Sequence, residues 1–286
     1  MRDIIGHTKA SLRGHLTRPT HTRLGSAVMT AIASASSRRR VHYRFDGDDW
    51  YVASQGNYQV LPTVQRRYRP PSTGHIDLFT FHYTPRKGDV VIDIGAGIGT
   101  ELAQWLELVG PTGRVLMIEA DPVAARCLRK LVAWRGHTNV EVIEAAVGAT
   151  EGVASLEVFA PAGVSNRLTS SATSDADLVE VPLTTLDAIL RTAGNPHVAL
   201  LKMNIEGAET DALAALSPDA TIDNYCISCH DFKGPSTATL DHVREWLATN
   251  VGEPTRHPST PEAPWVGFYL YATNRSVAGD STHGTA

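Results

Sequence analysis

The segment "VIDIGAGIGTE" carries the first residues whose spacing suggests chemistry, because Asp93 precedes three closely spaced glycines, Gly95, Gly97 and Gly99. Such glycines allow a tight turn and the close approach of a ligand at the start of a helix. The nicotinamide fingerprint G-x-G-x-x-G/A fails here, because Thr100 stands at its sixth position. An acidic residue beside the loop favours a cationic ligand over a pyrophosphate. S-adenosylmethionine, with its sulfonium and ammonium groups, is therefore the predicted cofactor.

Two further segments suit the rest of that cofactor. Glu119 ends the second predicted strand, where a carboxylate can accept hydrogen bonds from both ribose hydroxyls. Glu144 and Ala145 end the third predicted strand, where the adenine edge is expected to lie. The predicted cofactor-binding residues are Asp93, Gly95, Ala96, Gly97, Gly99, Glu119, Ala120, Glu144, Ala145 and Asn204.

Polar side chains also follow two later strands, at "LLKMNIEGAE" and at "NYCISCHDF". Ligands of α/β proteins bind at the carboxyl ends of strands, so the two groups are expected to converge. His230 is the predicted general base, Glu206 is the second candidate, and Asp231 is a candidate to orient the histidine. A buried structural histidine at the end of a strand is the alternative interpretation of His230.

The same segments contain a candidate divalent-metal site, formed by Asn204, Glu206, His230 and Asp231. These side chains supply mostly oxygen ligands, which suit magnesium or calcium better than zinc.

"CISCH", residues 226–230, spells the C-x-x-C-H pattern of c-type haem attachment. In a strand, Cys226 and Cys229 would lie on opposite faces with their Cα atoms about 10 Å apart. That geometry excludes a shared haem, a disulfide or a common metal. The cysteines are therefore predicted to fill a buried strand.

Apolar runs and helical segments alternate from Asp89 onward, which predicts a doubly wound, Rossmann-like α/β sheet of about seven strands with the last one antiparallel. Residues 41–60 suggest a hairpin, and residues 162–178 read as a polar loop. The predicted organisation is an N-terminal extension (1–84), a cofactor-binding domain (85–274) and a disordered tail (275–286). The extension and residues 160–182 are expected to cover the acceptor.

Composition narrows the function classes. The formal net charge of -4 predicts no general attraction to nucleic acid. No apolar run approaches the roughly 18 residues of a membrane span, and the first 20 residues do not resemble a secretory signal. Three cysteines do not form a disulfide framework. A cytoplasmic location is therefore expected.

The motifs "GDVVIDIGAGIGTE", "IEADP", "AAVG", "LTTLDAIL" and "LLKMNIEGAE" occur in an order and spacing that resemble the FkbM family of S-adenosylmethionine-dependent methyltransferases. The similarity spans roughly residues 85–232. Members of that family usually read K-x-D-x-E-G-x-E where this chain has residues 202–209, so Asn204 replaces the usual aspartate.

The resemblance implies methyl transfer to a hydroxyl of a sugar, a glycan or a secondary metabolite, with a small-molecule or glycan acceptor as the partner. Two alternatives remain open at the level of sequence. One is a nicotinamide-dependent oxidoreductase. The other is a non-catalytic protein that retains the S-adenosylmethionine-binding fold, which the replacement at Asn204 favours.

Overall fold

The chain forms two compact units, which divide between Pro71 and Ser72. A computed structural model describes residues 23–65, 68, 70, 74–159, 166–168, 177–231 and 238–278. A short helix that follows Ser72 belongs to the second unit, and the predicted division at residue 84 stays a prediction. The predicted disordered tail begins as a helix at Arg275, and its residues 279–286 lie outside the described part of the chain.

The described residues of the first unit form one helix and one antiparallel sheet in the order β1-β2-β3. Trp50 is buried at the start of β2, and its ring lies 4.9 Å from that of Phe45. The predicted hairpin is correct for the first two strands, and a turn at Gln55 and Gly56 adds the third. The elements are α1 (Arg23–Ser37), β1 (His42–Phe45), β2 (Trp50–Ser54) and β3 (Asn57–Leu61).

The second unit is built on a sheet of seven strands in the order β13-β14-β12-β11-β4-β5-β6. Neighbours from β6 to β12 are parallel, and β14 pairs antiparallel with β12, as the sequence predicts. The strands of this sheet are β4 (Val90–Ile94), β5 (Arg114–Glu119), β6 (Val140–Glu144), β11 (Val198–Met203), β12 (Ile222–Ser228), β13 (Thr255–Arg256) and β14 (Tyr269–Thr273).

Helices cover the sheet, so its central strands are buried on both faces and consist of continuous apolar runs. All six residues of β11 are buried, among them the charged Lys202. The helices are α2 (Gly74–Phe79), α3 (Leu102–Val109), α4 (Pro122–Arg135), α5 (Leu186–Thr192), α6 (Glu209–Ala214), α7 (Leu240–Asn250) and α8 (Arg275–Ala278), with a 3₁₀ helix at Pro264–Phe268. None of the helices in the described ranges is long and apolar enough to cross a membrane.

A smaller sheet in the order β7-β10-β8-β9 interrupts the alternation. Its strands are β7 (Ala146–Val147), β8 (Gly152–Val158), β9 (Arg167–Leu168) and β10 (Asp177–Thr184). The prediction of an unstructured polar loop over residues 162–178 is wrong at β9 and at the start of β10. These polar residues become strands because β8 pairs with both of them, with Leu156 opposite Leu168 and Val179. Residues 160–165 and 169–176 lie outside the described ranges.

Candidate active site

A cavity of about 540 Å³ opens at the carboxyl ends of the central strands in the second unit. This is the edge at which α/β proteins place ligands. Its lining combines the glycine loop after β4, residues that follow β5 and β6, and groups that follow β11 and β12. Among the predicted residues, the lining includes Gly95, Ala96, Gly97, Glu119, Ala120, Ala145, Asn204, Glu206 and His230.

The glycine loop requires its glycines for two different reasons. A Cβ atom on Gly95 would lie only 2.0 Å from the backbone oxygen of Asn204, so a side chain cannot be accommodated there. Gly97 has a φ of 57°, and a Cβ atom built on it meets nothing within 4 Å. The loop therefore packs its first glycine against the end of β11 and leaves open space at its second.

Glu119 ties the end of β5 to the glycine loop. Its Oε2 accepts a hydrogen bond from the amide of Gly97 at 2.7 Å, and its Oε1 accepts one from the amide of Asp121 at 2.8 Å. Burial raises the pKa of Glu119, although these two amides stabilise its charged form. Each oxygen keeps a second lone pair, so the carboxylate can still accept hydrogen bonds from a ligand in the cavity.

Asp93 does not line the cavity, because its carboxylate is committed to buried protein partners. Lys202 Nζ lies 2.7 Å from Asp93 Oδ1, and Trp105 Nε1 donates to Asp93 Oδ2 at 2.9 Å. Lys202 also donates to the backbone oxygen of Gly95 at 3.1 Å. Burial alone would lower the pKa of Lys202, but the neighbouring charges of Asp93 and Glu101 outweigh burial and raise it. This buried ion pair stabilises the glycine loop through the hydrogen bond from Lys202 to Gly95.

His230, which follows β12, lies between two carboxylates. Its Nδ1 is 2.8 Å from Glu209 Oε1, and its Nε2 is 3.4 Å from Glu206 Oε1. Glu209 is fully buried, and its second oxygen accepts a hydrogen bond from Thr239 Oγ1 at 3.0 Å. The histidine ring is therefore oriented by Glu209, its Nε2 is directed at Glu206, and both His230 and Glu206 line the cavity.

The two carboxylates set the proton affinity of His230. Burial disfavours the imidazolium, but the hydrogen bonds and negative charges of Glu206 and Glu209 outweigh burial and raise the pKa of His230 to about 9. In a neutral solution the ring is therefore mostly protonated, and it becomes a strong base when it loses that proton.

Asp231 faces away from the histidine ring. Its Oδ2 accepts hydrogen bonds from the backbone amides of Thr239 at 3.0 Å and Leu240 at 2.9 Å, where α7 begins. These amides have no partner within a helix, so Asp231 caps α7. Asp231 is the predicted candidate to orient His230, but Glu209 contacts the Nδ1 of that ring.

Asn204 lines the cavity next to the glycine loop. Its backbone amide donates to the oxygen of Ile94 at 3.0 Å, which continues the pairing of β11 with β4. Its side-chain Oδ1 is buried and has no hydrogen-bond partner among the described residues. A buried unsatisfied oxygen costs free energy, so this atom is suited to a donor from a bound molecule.

Two other predicted cofactor residues do not line the cavity. Gly99 packs against α4, where an added Cβ atom would lie 2.5 Å from Leu128 Cδ1. Glu144 pairs with Arg129 on the side of the same helix. Their neighbours in the sequence, Ile98, Thr100 and Ala145, line the cavity instead.

Several residues that line the cavity were missed by the sequence analysis. His75, Phe79, Glu101, Trp265 and Tyr269 form the part of the wall beyond the glycine loop. Of these, Glu101 carries a signal in the sequence, since it directly follows the glycine loop. The others belong to segments that are far apart in the chain and have no motif.

One known protein family matches the segment that contains most of the cavity-lining residues. Residues 93–253 match the model of the Methyltransferase FkbM domain, and this match spans more than half of the chain. The chain belongs to the FkbM methyltransferase family. The resemblance predicted from the sequence motifs is thereby confirmed, and the Rossmann-like sheet agrees with it.

Curated proteins with a different name, the protein-L-isoaspartate O-methyltransferases, match a shorter segment of the chain. Protein-L-isoaspartate O-methyltransferase 2 of Archaeoglobus fulgidus is 41% identical over 58 residues, which are 20% of this chain and 26% of that protein. The protein-L-isoaspartate O-methyltransferase of Aeropyrum pernix is 38% identical over 77 residues, which are 27% of this chain and 28% of that protein. The match thus spans about a quarter of the length of these relatives.

Two solved structures are similar to this FkbM-family chain. Methyltransferase FkbM from Methylobacillus flagellatus KT has 22% sequence identity and a TM-score of 0.45, over 66% of this chain and 44% of that one. Aeropyrum pernix fibrillarin, solved with natively bound S-adenosyl-L-methionine, has 12% identity and a TM-score of 0.39, over 79% of this chain and 94% of that one. The assignment to the family rests on residues 93–253.

Proposed function

We propose that this protein is an S-adenosylmethionine-dependent methyltransferase that acts on a hydroxyl group of its acceptor. The observation that carries the proposal is the arrangement of one cavity. The glycine loop and Glu119 form one part of its wall, and the His230–Glu206 pair forms another. A methyl donor and a proton acceptor can therefore share a single enclosed space.

The residues of the first part are suited to the adenosyl end of S-adenosylmethionine. Glu119 has lone pairs that can accept hydrogen bonds from ribose hydroxyls, and the space over Gly97 permits close approach of a nucleoside. Ala145, Ala146 and Val147 supply an apolar wall beyond Glu119, where an adenine ring would lie. The orphaned Oδ1 of Asn204 adds an acceptor beside the loop. When bound, the cofactor would supply an electrophilic methyl group.

The second part is suited to removing a proton from the acceptor hydroxyl. His230 lines the cavity, and Glu209 holds its ring through Nδ1, so Nε2 is the nitrogen assigned to the acceptor proton. A base with a pKa of about 9 has a greater affinity for the proton than an ordinary histidine. The same high pKa lowers the fraction of the ring that is unprotonated at neutral pH. Glu206 is adjacent to Nε2 and can stabilise the imidazolium that forms.

The predicted metal ligands do not fit a metal site. The carboxylate of Asp231 is committed to the amides of α7, and both ring nitrogens of His230 face carboxylates. Within the described ranges, no group of three or more His, Cys, Asp or Glu side chains could hold a metal ion. No step of the proposed reaction is therefore assigned to magnesium or calcium.

A sugar, a glycan or a secondary metabolite is the proposed acceptor class. Trp265 and Tyr269 line the cavity together with His230, and their rings are 6.2 Å apart at an angle of 65°. Aromatic faces with nearby hydrogen-bonding groups suit the apolar face and the hydroxyls of a small ring.

Calorimetry distinguishes this function from its alternatives. We expect S-adenosylhomocysteine to bind the protein in a one-to-one complex and reduced nicotinamide dinucleotides not to bind. Incubation of the protein with labelled S-adenosylmethionine and a mixture of sugars and glycans should then yield an alkali-stable methyl ether. Binding of a nicotinamide cofactor, or of neither ligand, would contradict the proposal, and binding without any transfer would favour the non-catalytic alternative.

A further inference from the structure

Glu101 and His75 both line the cavity and lie next to each other. Glu101 precedes α3 and is only 8% exposed, and its Oε1 lies 3.7 Å from His75 Nδ1. That separation is longer than a hydrogen bond of about 2.7–3.2 Å. The carboxylate and the imidazole thus line the same space and interact across that longer separation.

The other carboxylates near the loop already have defined tasks. Asp93 is neutralised by Lys202 and does not line the cavity. Glu119 holds the amides of Gly97 and Asp121, and Glu206 faces His230. The carboxylate that remains to receive a cationic ligand group beside the loop is Glu101.

The order of the strands sets the direction in which a bound cofactor would extend. The apolar wall of Ala145–Val147 follows β6, Glu119 ends β5, and the glycine loop follows β4. A bound nucleoside would place its base at the apolar wall and its ribose at Glu119. The rest of the cofactor would then extend toward the end of β4, near Glu101 and His75.

We propose that Glu101 and His75 bind the α-amino-acid end of S-adenosylmethionine, with Glu101 receiving its ammonium group and His75 its carboxylate. This inference rests on the proposed function and adds two residues to it. An α-amino acid carries one positive and one negative group on a single carbon, which is the complement of a carboxylate beside an imidazolium. The direct interaction with the Glu101 carboxylate favours the imidazolium form of His75 and raises the pKa of that ring, against the opposing effect of burial.

His75 lies outside the segment that matches the FkbM domain, which begins at residue 93. One of the two proposed residues therefore comes from α2, a helix that the family match does not include. Phe79, on the same helix, lies with its ring 5.1 Å from Lys202 Nζ and so connects α2 to the ion pair beneath the loop.

Two nucleosides test the proposal by calorimetry. S-adenosylhomocysteine and 5′-methylthioadenosine share the adenosine and the thioether, but only the first carries the amino acid. We expect the wild-type protein to bind S-adenosylhomocysteine roughly 10- to 150-fold more tightly, the range given by charged hydrogen bonds. Glu101→Gln should remove most of that advantage while the affinity for 5′-methylthioadenosine stays within about twofold, because the substitution keeps the shape of the side chain. His75→Gln should have the same selective effect.

Glu107→Gln is the matched control, because Glu107 is exposed on α3 and does not line the cavity. It removes the same charge from the same helix and should change neither affinity. The proposal is overturned if Glu101→Gln leaves the preference for S-adenosylhomocysteine intact, or if it weakens both nucleosides equally. If the wild-type protein binds neither nucleoside, the proposed function fails. If the variants bind both nucleosides as the wild type does, only the role of Glu101 and His75 fails.

Discussion

At the scale of single residues, the environment of His230 determines how the candidate site would handle a proton. A histidine at the end of a strand has an ordinary pKa near 6.5, but Glu206 and Glu209 raise the pKa of His230 to about 9. The same ring therefore titrates well above neutral pH, and the direction of its pH dependence can be stated before any acceptor is known.

Methyl transfer should accelerate as the pH rises toward about 9, because only unprotonated His230 can accept the hydroxyl proton. Glu209→Gln removes a negative charge next to Nδ1, so it should lower the pKa of His230 and move the midpoint of the profile to lower pH. Single-turnover rates measured across this range check both expectations. A wild-type rate that does not change between about pH 6 and 9 would exclude His230 as the base.

Substitution of the base itself gives a second measurement. His230→Ala should lower turnover by roughly 10²–10⁴, and the affinity for S-adenosylhomocysteine should barely change because the ring lies on the other part of the wall. Glu206→Gln, assayed in parallel, separates the two candidate bases. Near-normal turnover in His230→Ala would return the histidine to a structural role.

Glu119 provides the residue-scale prediction for the cofactor. Glu119→Ala would remove the acceptor for the ribose hydroxyls and also leave the Gly97 amide without its partner. The binding free energy of S-adenosylhomocysteine should weaken by about 1–3 kcal/mol. Calorimetry on the variant checks this, with Glu144→Ala as the control because Glu144 does not line the cavity. Unchanged affinity in Glu119→Ala would show that the ribose is held elsewhere.

At the scale of elements, the site depends on two buried connections between strands and helices. Lys202 on β11 bonds to Asp93 on β4 and to the backbone oxygen of Gly95, which holds the glycine loop at the strand ends. Asp231 caps α7, which also brings Thr239 to Glu209 and thereby supports His230. The positions of the chemical groups are thus set by helix and strand termini.

Asp231→Ala should destabilise the protein through loss of the cap on α7, by about 1 kcal/mol. Turnover measured well below the unfolding transition should fall much less than in His230→Ala, because Asp231 does not contact the ring. Chemical denaturation and single-turnover assays on the two variants check this. A loss of turnover equal to that of His230→Ala, with unchanged stability, would contradict the capping role.

Cys226 and Cys229 test the interpretation of β12. Both are buried free thiols, and burial raises the pKa of each, so they remain protonated and act as small apolar side chains. Joint replacement by alanine should lower stability by roughly 1–3 kcal/mol, without changing the binding of S-adenosylhomocysteine. Denaturation and calorimetry check the two parts. Loss of a visible chromophore or of a stoichiometric metal would overturn this interpretation.

At the scale of the whole molecule, the buried charges of the site link folding to pH. The pKa of His230 is higher in the folded chain than in an unfolded one, so the folded state binds the additional proton. This contribution to stability is fully present below about pH 6.5 and is lost as the pH rises through about 9.

The difference in unfolding free energy between the wild type and His230→Gln should therefore decrease as the pH rises from about 6.5 to 9. Each pKa unit corresponds to about 1.4 kcal/mol, so the change is on the order of 3 kcal/mol at most. Denaturation of both proteins at several pH values in this range checks it. A difference that stays constant, or that grows with pH, would show that the carboxylates do not raise the pKa of His230.

The sequence by itself determined the class of the main sheet, the glycine loop and the family. Apolar runs such as those of β4 and β11 report burial on both faces directly, and the glycines of the loop are required by local backbone geometry. The ends of α4 also depend on local signals, since Pro122 stands at its start and Gly136 follows it. The same strand pattern placed Asn204, Glu206 and His230 at neighbouring strand ends.

Only the tertiary structure decided which partner each charged group takes. Asp93 and Glu101 are both acidic residues next to the glycine loop, but Lys202, distant in sequence, neutralises the first while the second lines the cavity. Glu209, and not the adjacent Asp231, contacts His230, because the first turn of α6 lies next to the end of β12. Likewise, β9 and β10 form because β8 supplies their partners. Such pairings depend on contacts between distant segments, which residue spacing along the chain does not encode.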